Sequence, residues 1–287
     1  LWRGRSLCRS RGIIAAAGRA IRAFSTGPVH CRACVQARGT TGTGLAALVS
    51  SSALRSIEAS STHMRVSDST QMFPLLRLLA DGETHSGQTL AARLGASRTS
   101  VRNHVRSIER LGFRVFRIRG RGYRIAEPLD LLDGERLTGL LHHTFAVEIL
   151  DECPSTNGVL MERARCGGPD ALALACEHQT AGRGRRGQRW ESGIGTDLTF
   201  SLLWRFRRGA AALSGLSLAI GVALVRALAR LGYEGVQLKW PNDLHLRGCK
   251  LGGILIEVMG DRLGPSAVVV GIGLNVRLEA AVRERVD

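Results

Sequence analysis

The chain has 287 residues, of which 44% are hydrophobic, so it is long and apolar enough to form about two folded domains. No apolar run approaches the ~20 residues of a membrane-spanning helix, and seven scattered Cys argue against a disulfide framework, so we expect a reduced, cytoplasmic protein without membrane contact. The net charge of +16 lies mostly in the first 127 residues: residues 1–63 have nine Arg against one acid, residues 64–127 twelve Arg against five acids, and residues 128–287 nineteen cations against eighteen acids.

Residues 1–63 are rich in Arg, Ala, Gly and Ser, and we expect them to be disordered or to be upstream sequence translated in error. The helical pattern begins directly after Met64, which favours a true start at Met64 or Met72 over an organelle transit peptide or a basic DNA-contacting arm. Cys31 and Cys34 have CxxC spacing, but no second pair of ligands follows, so we expect no metal site formed by the protein alone.

Residues 64–127 show the pattern of a winged helix-turn-helix. Apolar residues over 73–79 have helical spacing, and a second helix is predicted between an N-terminal cap at Ser86 and a stop at Gly95. Ser97 then caps a third helix, whose apolar residues fall on one face. Two helices joined by a short turn at a glycine are the signature of a helix-turn-helix.

The third helix and the hairpin that follows it contain many basic side chains. Residues 113–118 alternate as a strand, residues 119–122 form a turn, and residues 123–125 return as a second strand, which together make a wing. Arg and Asn are typical of contacts to phosphates and base edges. The alternatives are a solvated Arg-rich surface or a winged helix that contacts protein. We expect binding of duplex DNA through Arg98, Thr99, Arg102, Asn103, Arg106, Arg119 and Arg121.

Residues 128–287 predict a larger domain that contains both strands and helices. An amphipathic helix is expected at 213–231, and Ser155 is a candidate cap for a helix after the first strand, which by itself would explain the triplet Ser155-Thr156-Asn157. Strands are expected at 147–150, 171–176, 198–204, 236–240, 249–257 and 268–276.

A glycine-rich segment, GRGRRG at 182–187, formally matches the dinucleotide-binding pattern G-x-G-x-x-G. No helix is predicted to open there, so the Rossmann context fails, and the later motifs of protein kinases are missing from the sequence. Glycines allow backbone N–H groups to approach an anion, and Arg neutralises phosphate. The segment is therefore either a phosphate-binding loop or a mobile basic surface loop.

Lysine is rare in this chain. Of forty cationic side chains only Lys239 and Lys250 are Lys, and both lie in one short stretch that follows the predicted helix. An ammonium group is a compact point charge, whereas a guanidinium is wide and planar. The two positions are therefore candidates for chemistry that requires Lys.

The motifs of residues 128–287 form an ordered set: Ser155-Thr156-Asn157, Gln179-Thr180-Ala181 before GRGRRG, KWPND from Lys239, KLGGILIE from Lys250, and GIGLN from Gly271. Together with the winged helix-turn-helix, this set resembles the bacterial biotin protein ligases of the bifunctional type, which also repress the biotin operon. The resemblance covers about residues 64–287. It implies an α+β fold, in which the DNA-binding domain (64–127) precedes a mixed-sheet catalytic domain similar to class II synthetases (128–287).

The resemblance also implies the chemistry. Biotin and ATP, the latter with Mg²⁺, form biotinyl-5′-AMP, and the biotinyl group passes to a lysine of the biotin carboxyl carrier protein of acetyl-CoA carboxylase. Operator DNA is the second partner, and a homodimer is expected when biotinyl-AMP is bound. By motif, the catalytic residues are Arg185 and Lys250. Biotin is held by Ser155, Thr156, Asn157, Gln179, Arg183, Gly184, Arg185 and Lys250, and the nucleotide by Arg183, Arg185, Arg186, Trp190, Asn242, Asp243 and Asn275.

Two alternatives to a ligase that represses transcription remain: a ligase whose winged helix does not regulate transcription, and a biotin-sensing regulator without ligase activity. The intact GRGRRG and KLGG motifs argue against the regulator, and the basic third helix and wing argue against the ligase-only form. Since the family's catalytic domain and its small C-terminal barrel extend past the point that corresponds to Asp287, we expect the chain to be C-terminally incomplete.

Overall fold

The computed structural model describes residues 68–135, 137, 145–207, 209–260 and 264–275. The predicted N-terminal extension, with its Cys31 and Cys34 pair, lies outside these residues. Within the described ranges, no helix is long and apolar enough to cross a membrane.

The first domain is the winged helix-turn-helix that the sequence predicts. Its elements are α1 (Asp68–Leu79), α2 (Gly87–Leu94), α3 (Arg98–Arg110), β1 (Val115–Ile118) and β2 (Gly122–Ile125).

Local capping sets the ends of these helices. Ser86 accepts a hydrogen bond from the backbone N–H of Thr89, and Ser97 accepts one from Ser100, so both predicted N-terminal caps are confirmed. Gly95 ends α2 with a φ of 58°, in the left-handed region that glycine tolerates without steric cost. The turn between α2 and α3 therefore follows from three residues of the sequence.

The apolar face of α3 forms the core of this domain. Val101, Val105 and Ile108 are fully buried and belong to one cluster with Phe73 and Leu76 of α1. The basic face of α3 consequently points away from the core, toward solvent.

The second domain is built on a mixed sheet with the order β3-β4-β5-β9-β8-β7-β6, in which only the pair β3 and β4 is parallel among the described strands. This confirms the predicted α+β class. The elements are β3 (Ala146–Cys153), α4 (Thr156–Arg165), β4 (Leu172–Gln179), β5 (Asp197–Phe206), α5 (Leu216–Arg230), β6 (Val236–Lys239), β7 (Asp243–Leu246), β8 (Cys249–Gly260) and β9 (Ser266–Asn275).

The two helices cover opposite faces of the sheet. Leu160 of α4 packs in one cluster with Leu203 of β5, whereas Ile220 of α5 packs in another with Leu202. Because successive strand residues point to opposite faces, this division explains why β5 is apolar along most of its length instead of alternating.

The structure differs from the prediction in three details. The helix expected at 213–231 is present but begins three residues later, at Leu216; a short 3-10 turn (Ala210–Leu213) precedes it, and Gly215 between the two has a φ of 89°. Strand β7 was not predicted; it pairs with both β6 and β8, and the three strands form an antiparallel meander. Ser155 stands at the N-terminus of α4, but its side chain makes no capping hydrogen bond, so the capping explanation of this residue is wrong.

The two domains are joined through shared packing and Arg77. Leu131 and Ile194 complete the core of the first domain, although both lie beyond the wing in the sequence. The Arg77 side chain of α1 donates to Leu132 O at 2.8 Å and to Asp151 Oδ1 of β3 at 2.6 Å. The N-terminal domain is thus fixed to the edge of the sheet by both apolar and charged contacts.

A buried carboxylate lies beneath this junction. Glu177 of β4 accepts a hydrogen bond from the Leu132 N–H, and its side chain is only 2% exposed. Burial raises the pKa of Glu177 to about 7, although the Leu132 N–H and the Arg77 guanidinium, 3.8 Å away, favour its charged form. The group therefore keeps its proton to a higher pH than an ordinary glutamate does.

Candidate functional site

A pocket opens at the edge of the sheet where β3 and β4 end and β5 and β8 begin. Every residue that the motifs assign to biotin or nucleotide lines this pocket, apart from Asn275. Asn275 lies next to it, and its side-chain amide donates to the backbone O of Lys250 at 3.4 Å. The fold thus brings five separate motifs together. The pocket residues that the motifs did not assign are Gln188, Arg189, Thr199, Trp240, Pro241, Gly253, Ile254, Leu255, Gly271, Ile272 and Gly273.

One side of the pocket is a buried polar network at the start of α4. Thr156 donates its backbone N–H to Gln179 Oε1 at 2.8 Å. Ser201 Oγ of β5 lies 2.7 Å from Thr156 Oγ1 and 2.6 Å from Asn157 Oδ1. Ser155, Thr156, Asn157 and Ser201 are all buried. Such a network fixes the orientation of its polar groups and presents them to a small polar ligand.

Glycines of β9 make room for this network and for an aromatic ring. A Cβ on Gly271 would collide with Asn157 Oδ1, and one on Gly273 would collide with the indole of Trp190. Close packing of side chains on the face of β9 therefore explains the two glycines of the GIGLN motif.

The GRGRRG segment forms a closed loop over the pocket. Gly184 N–H donates to Gln188 O at 2.7 Å, and residues 185–187 make a single 3-10 turn. No α-helix begins there, as expected. Arg186 has a φ of 55°, which is uncommon for a residue with a side chain. The loop is therefore held in a defined conformation by its own backbone.

Two arginines of the loop contact opposite walls of the pocket. Arg183 Nη2 lies 3.3 Å from Glu257 Oε2 of β8, and Arg185 donates to Asn242 Oδ1 at 2.8 Å. Lys250 lies on the same side as Asn242, with its Nζ 3.1 Å from Asp243 Oδ2. Cations thus surround the middle of the pocket, a charge distribution suited to an anionic ligand.

A second concave surface lies between α2, α3 and the wing. Arg98, Thr99 and Arg102 of α3 face Arg119 and Arg121 of the wing across it. Asn103 and Arg106 are exposed on α3 but do not line this surface. All of the residues predicted to bind DNA are accessible to solvent.

Two residues of the pocket network were missed by sequence reasoning. Ser201 lies inside an apolar strand, and nothing in its neighbourhood marks it as a site residue. Glu257 is the last residue of the KLGGILIE motif, so the motif included it without a role. Each becomes recognisable only because Asn157 contacts both.

Comparisons with known proteins agree with this architecture. Residues 153–275 match the model of the Biotin/lipoate A/B protein ligase family, and residues 72–124 match an HTH domain. The chain is 42% identical to the bifunctional ligase/repressor BirA of Salmonella typhimurium over 74% of this chain and 65% of that protein.

Two further relatives extend the similarity. The bifunctional ligase/repressor BirA of Bacillus spizizenii is 32% identical over 70% of this chain and 63% of its own length. The biotin–[acetyl-CoA-carboxylase] ligase of Mycobacterium tuberculosis is 37% identical over 53% of this chain and 58% of its own length. The chain thus spans somewhat less than two thirds of each of these relatives. Residues 153–275 therefore form a domain of the Biotin/lipoate A/B protein ligase family, and an HTH domain precedes it in the chain, as in the bifunctional relatives.

Proposed function

We propose that the protein is an ATP-dependent biotin protein ligase, which forms biotinyl-5′-AMP and transfers biotin to a lysine of a biotin carboxyl carrier protein. The observation that supports this most directly is the single pocket in which the buried polar network, the Arg-rich loop and Lys250 meet. We assign residues 128–287 to the ligase and residues 64–127 to a DNA-binding domain that represses biotin synthesis genes. A ligase without a role in transcription is the second candidate.

The polar network suits the ring end of biotin. Thr156, Asn157 and Gln179 offer donors and acceptors for a ureido group. The apolar Ile254 and Ile272 lie on the same pocket wall and suit the carbon and sulfur atoms of the ring.

The cationic part of the pocket suits the reacting groups. The carboxylate of biotin and the phosphates of ATP are both anions, so cations must offset their repulsion before they can react. We assign this role to Arg183, Arg185 and Lys250, which also stabilise negative charge in the transition state. We place the adenine near Trp190 and the magnesium ion of ATP near the side-chain oxygens of Asn242 and Asp243.

A transfer assay tests the ligase activity. The purified protein, given ATP, Mg²⁺ and biotin, is expected to release pyrophosphate and to add one biotin to a carrier domain, as measured by intact mass. A carrier domain whose acceptor lysine is replaced by Arg serves as the control and should gain no mass. Absence of both pyrophosphate release and labelling would contradict the proposal.

A salt titration tests the DNA-binding surface. Each phosphate contact contributes about 0.9 to the slope of log K against log salt, so replacing Arg119 and Arg121 by Ala should lower that slope by about 2. Arg117 is left in place because its guanidinium already pairs with Glu109 Oε2 at 2.7 Å. Binding to duplex DNA is measured by fluorescence anisotropy at several salt concentrations.

The matched control removes two Arg residues, Arg226 and Arg230, from the exposed side of α5. It changes the net charge equally and should leave the slope unchanged. If the wing variant has the slope of the unaltered protein, the wing does not contact phosphates.

A further inference from the structure

Glu257 of β8 contacts two elements of the pocket with one carboxylate oxygen. Its Oε2 accepts a hydrogen bond from Asn157 Nδ2 at 2.7 Å and lies 3.3 Å from Arg183 Nη2. Asn157 lies in the first turn of α4, and Arg183 belongs to the GRGRRG loop. One carboxylate group therefore contacts both the polar network at the start of α4 and the GRGRRG loop.

The contact fixes the amide orientation of Asn157. A carboxylate only accepts hydrogen bonds, so the NH₂ group of Asn157 must face Glu257, and its oxygen faces Ser201. The NH₂ group also lies 3.4 Å from Leu255 O. Both amide hydrogens of Asn157 are therefore directed at β8, and its Oδ1 faces the buried polar network. In that orientation Oδ1 can accept a hydrogen bond from an N–H group of a ligand.

The same carboxylate positions Arg183. One terminal nitrogen of its guanidinium points to Glu257, and a Cβ at Gly158 would lie 3.5 Å from that nitrogen, so the group fits closely between α4 and β8. A guanidinium has five N–H donors. The donors that Glu257 does not use remain available to an anion in the pocket.

Glu257 itself does not line the pocket. It lines a neighbouring surface concavity together with Leu255 and residues 180–184 and 187–189, and its side chain is 26% exposed. Its effect on a ligand must therefore pass through Asn157 and Arg183.

We propose that Glu257 is a positioning residue of the ligase, which holds Asn157 in its biotin-accepting orientation and Arg183 in its phosphate-facing position at the same time. This inference rests on the proposed function. The two contacts differ in what they require: Asn157 needs an acceptor atom, whereas Arg183 needs a negative charge. Substitutions can therefore separate them.

Glu257→Gln retains an acceptor oxygen but removes the charge. We expect biotin affinity to stay within about twofold of the unaltered protein, and release of biotinyl-AMP to become about five- to tenfold faster, since charge-assisted hydrogen bonds are roughly twice as strong as neutral ones. Glu257→Ala removes both contacts and should weaken biotin binding as well. Calorimetry with biotin alone and the release rate of preformed biotinyl-AMP give the two values.

A double-mutant cycle identifies the partner in the loop. If Glu257 acts through Arg183, the change Glu257→Gln should have no further effect on release of biotinyl-AMP once Arg183 is replaced by Gln. Glu148→Gln is the matched control, because Glu148 pairs with Arg163 at 2.7 Å, has a similar exposure of 30%, and does not line the pocket. It should change neither value.

The outcomes are distinct. An unaltered protein that neither binds biotin nor retains biotinyl-AMP would refute the proposed function. If the unaltered protein does both, two results would overturn the positioning role. One is a Glu257→Gln variant that releases biotinyl-AMP at the normal rate. The other is an effect of Glu257→Gln that adds fully to the effect of Arg183→Gln. Circular dichroism confirms that each variant is folded, and the isosteric Gln variant keeps the test valid if the Ala variant is unstable.

Discussion

Replacing Lys250 by Arg is expected to reduce the formation of biotinyl-AMP by about 100-fold or more, although the charge is conserved. Loss of a preorganised electrostatic contact typically costs about 3–4 kcal/mol of transition-state stabilisation. Lys250 Nζ lies 3.1 Å from Asp243 Oδ2, and a Cβ on Gly253 would meet Lys250 Cε at 3.8 Å. A wide, planar guanidinium does not occupy the position of a compact ammonium in such a site.

The rate is measured as pyrophosphate release with saturating biotin and ATP. The control is Lys239→Arg, because Lys239 is the other lysine of the chain, is exposed at the end of β6, and does not line the pocket. Circular dichroism verifies folding. Turnover close to normal in a folded Lys250→Arg protein would show that charge alone matters at this position.

The buried carboxyl group of Glu177 is expected to make the stability of the protein depend on pH. Burial raises the pKa of this group from the ordinary 4.5 to about 7, so the folded chain binds more protons than the unfolded chain between these values. The contribution of Glu177 to stability is therefore complete below about pH 4.5 and is lost as the pH rises through 7. The full difference corresponds to about 3 kcal/mol.

Glu177→Gln isolates this contribution. Glutamine retains an oxygen that accepts the Leu132 N–H and does not ionise, so the variant should lose less stability than the unaltered protein between pH 5 and pH 8. Urea unfolding at the two pH values measures the difference. Glu162→Gln, at a side chain that is 63% exposed, is the control for the loss of a charge. Identical pH dependence in the Glu177→Gln and unaltered proteins would show that Glu177 does not titrate in this range.

The helices of the first domain could be predicted from the sequence because local interactions set their ends. Ser86, Gly95 and Ser97 each act on the backbone within three or four residues, so their roles can be inferred without knowledge of the fold. The roles of the ligase motifs, in contrast, were predicted from the resemblance to a family. Short elements between the motifs were missed: the four-residue strand β7 is too short to show the alternation of apolar and polar residues that identifies a strand.

The rest of the site depends on contacts that are distant in the sequence. Ser201 and Glu257 bind opposite ends of the Asn157 amide across 44 and 100 residues. Their chemistry is ordinary for a strand residue, and only the packing of α4 against β5 and β8 brings them into contact with Asn157, a residue that lines the pocket. The sequence around Ser155 was also insufficient: its side chain is of a type that caps helices, but it makes no capping hydrogen bond in the structure.

The connection between the domains has a hydrodynamic consequence. Leu129 donates its N–H to Ala80 O, and Leu132 uses both its N–H and its carbonyl in bonds to Glu177 and Arg77. Because the connecting segment is hydrogen-bonded to both domains, it does not act as a flexible linker. We therefore expect the two domains to tumble in solution as one body. The basic face of α3, which we propose binds DNA, would then keep a fixed orientation relative to the sheet. In a symmetric assembly the distance between two such faces would be constant, and it would set the spacing of the two DNA half-sites that can be bound.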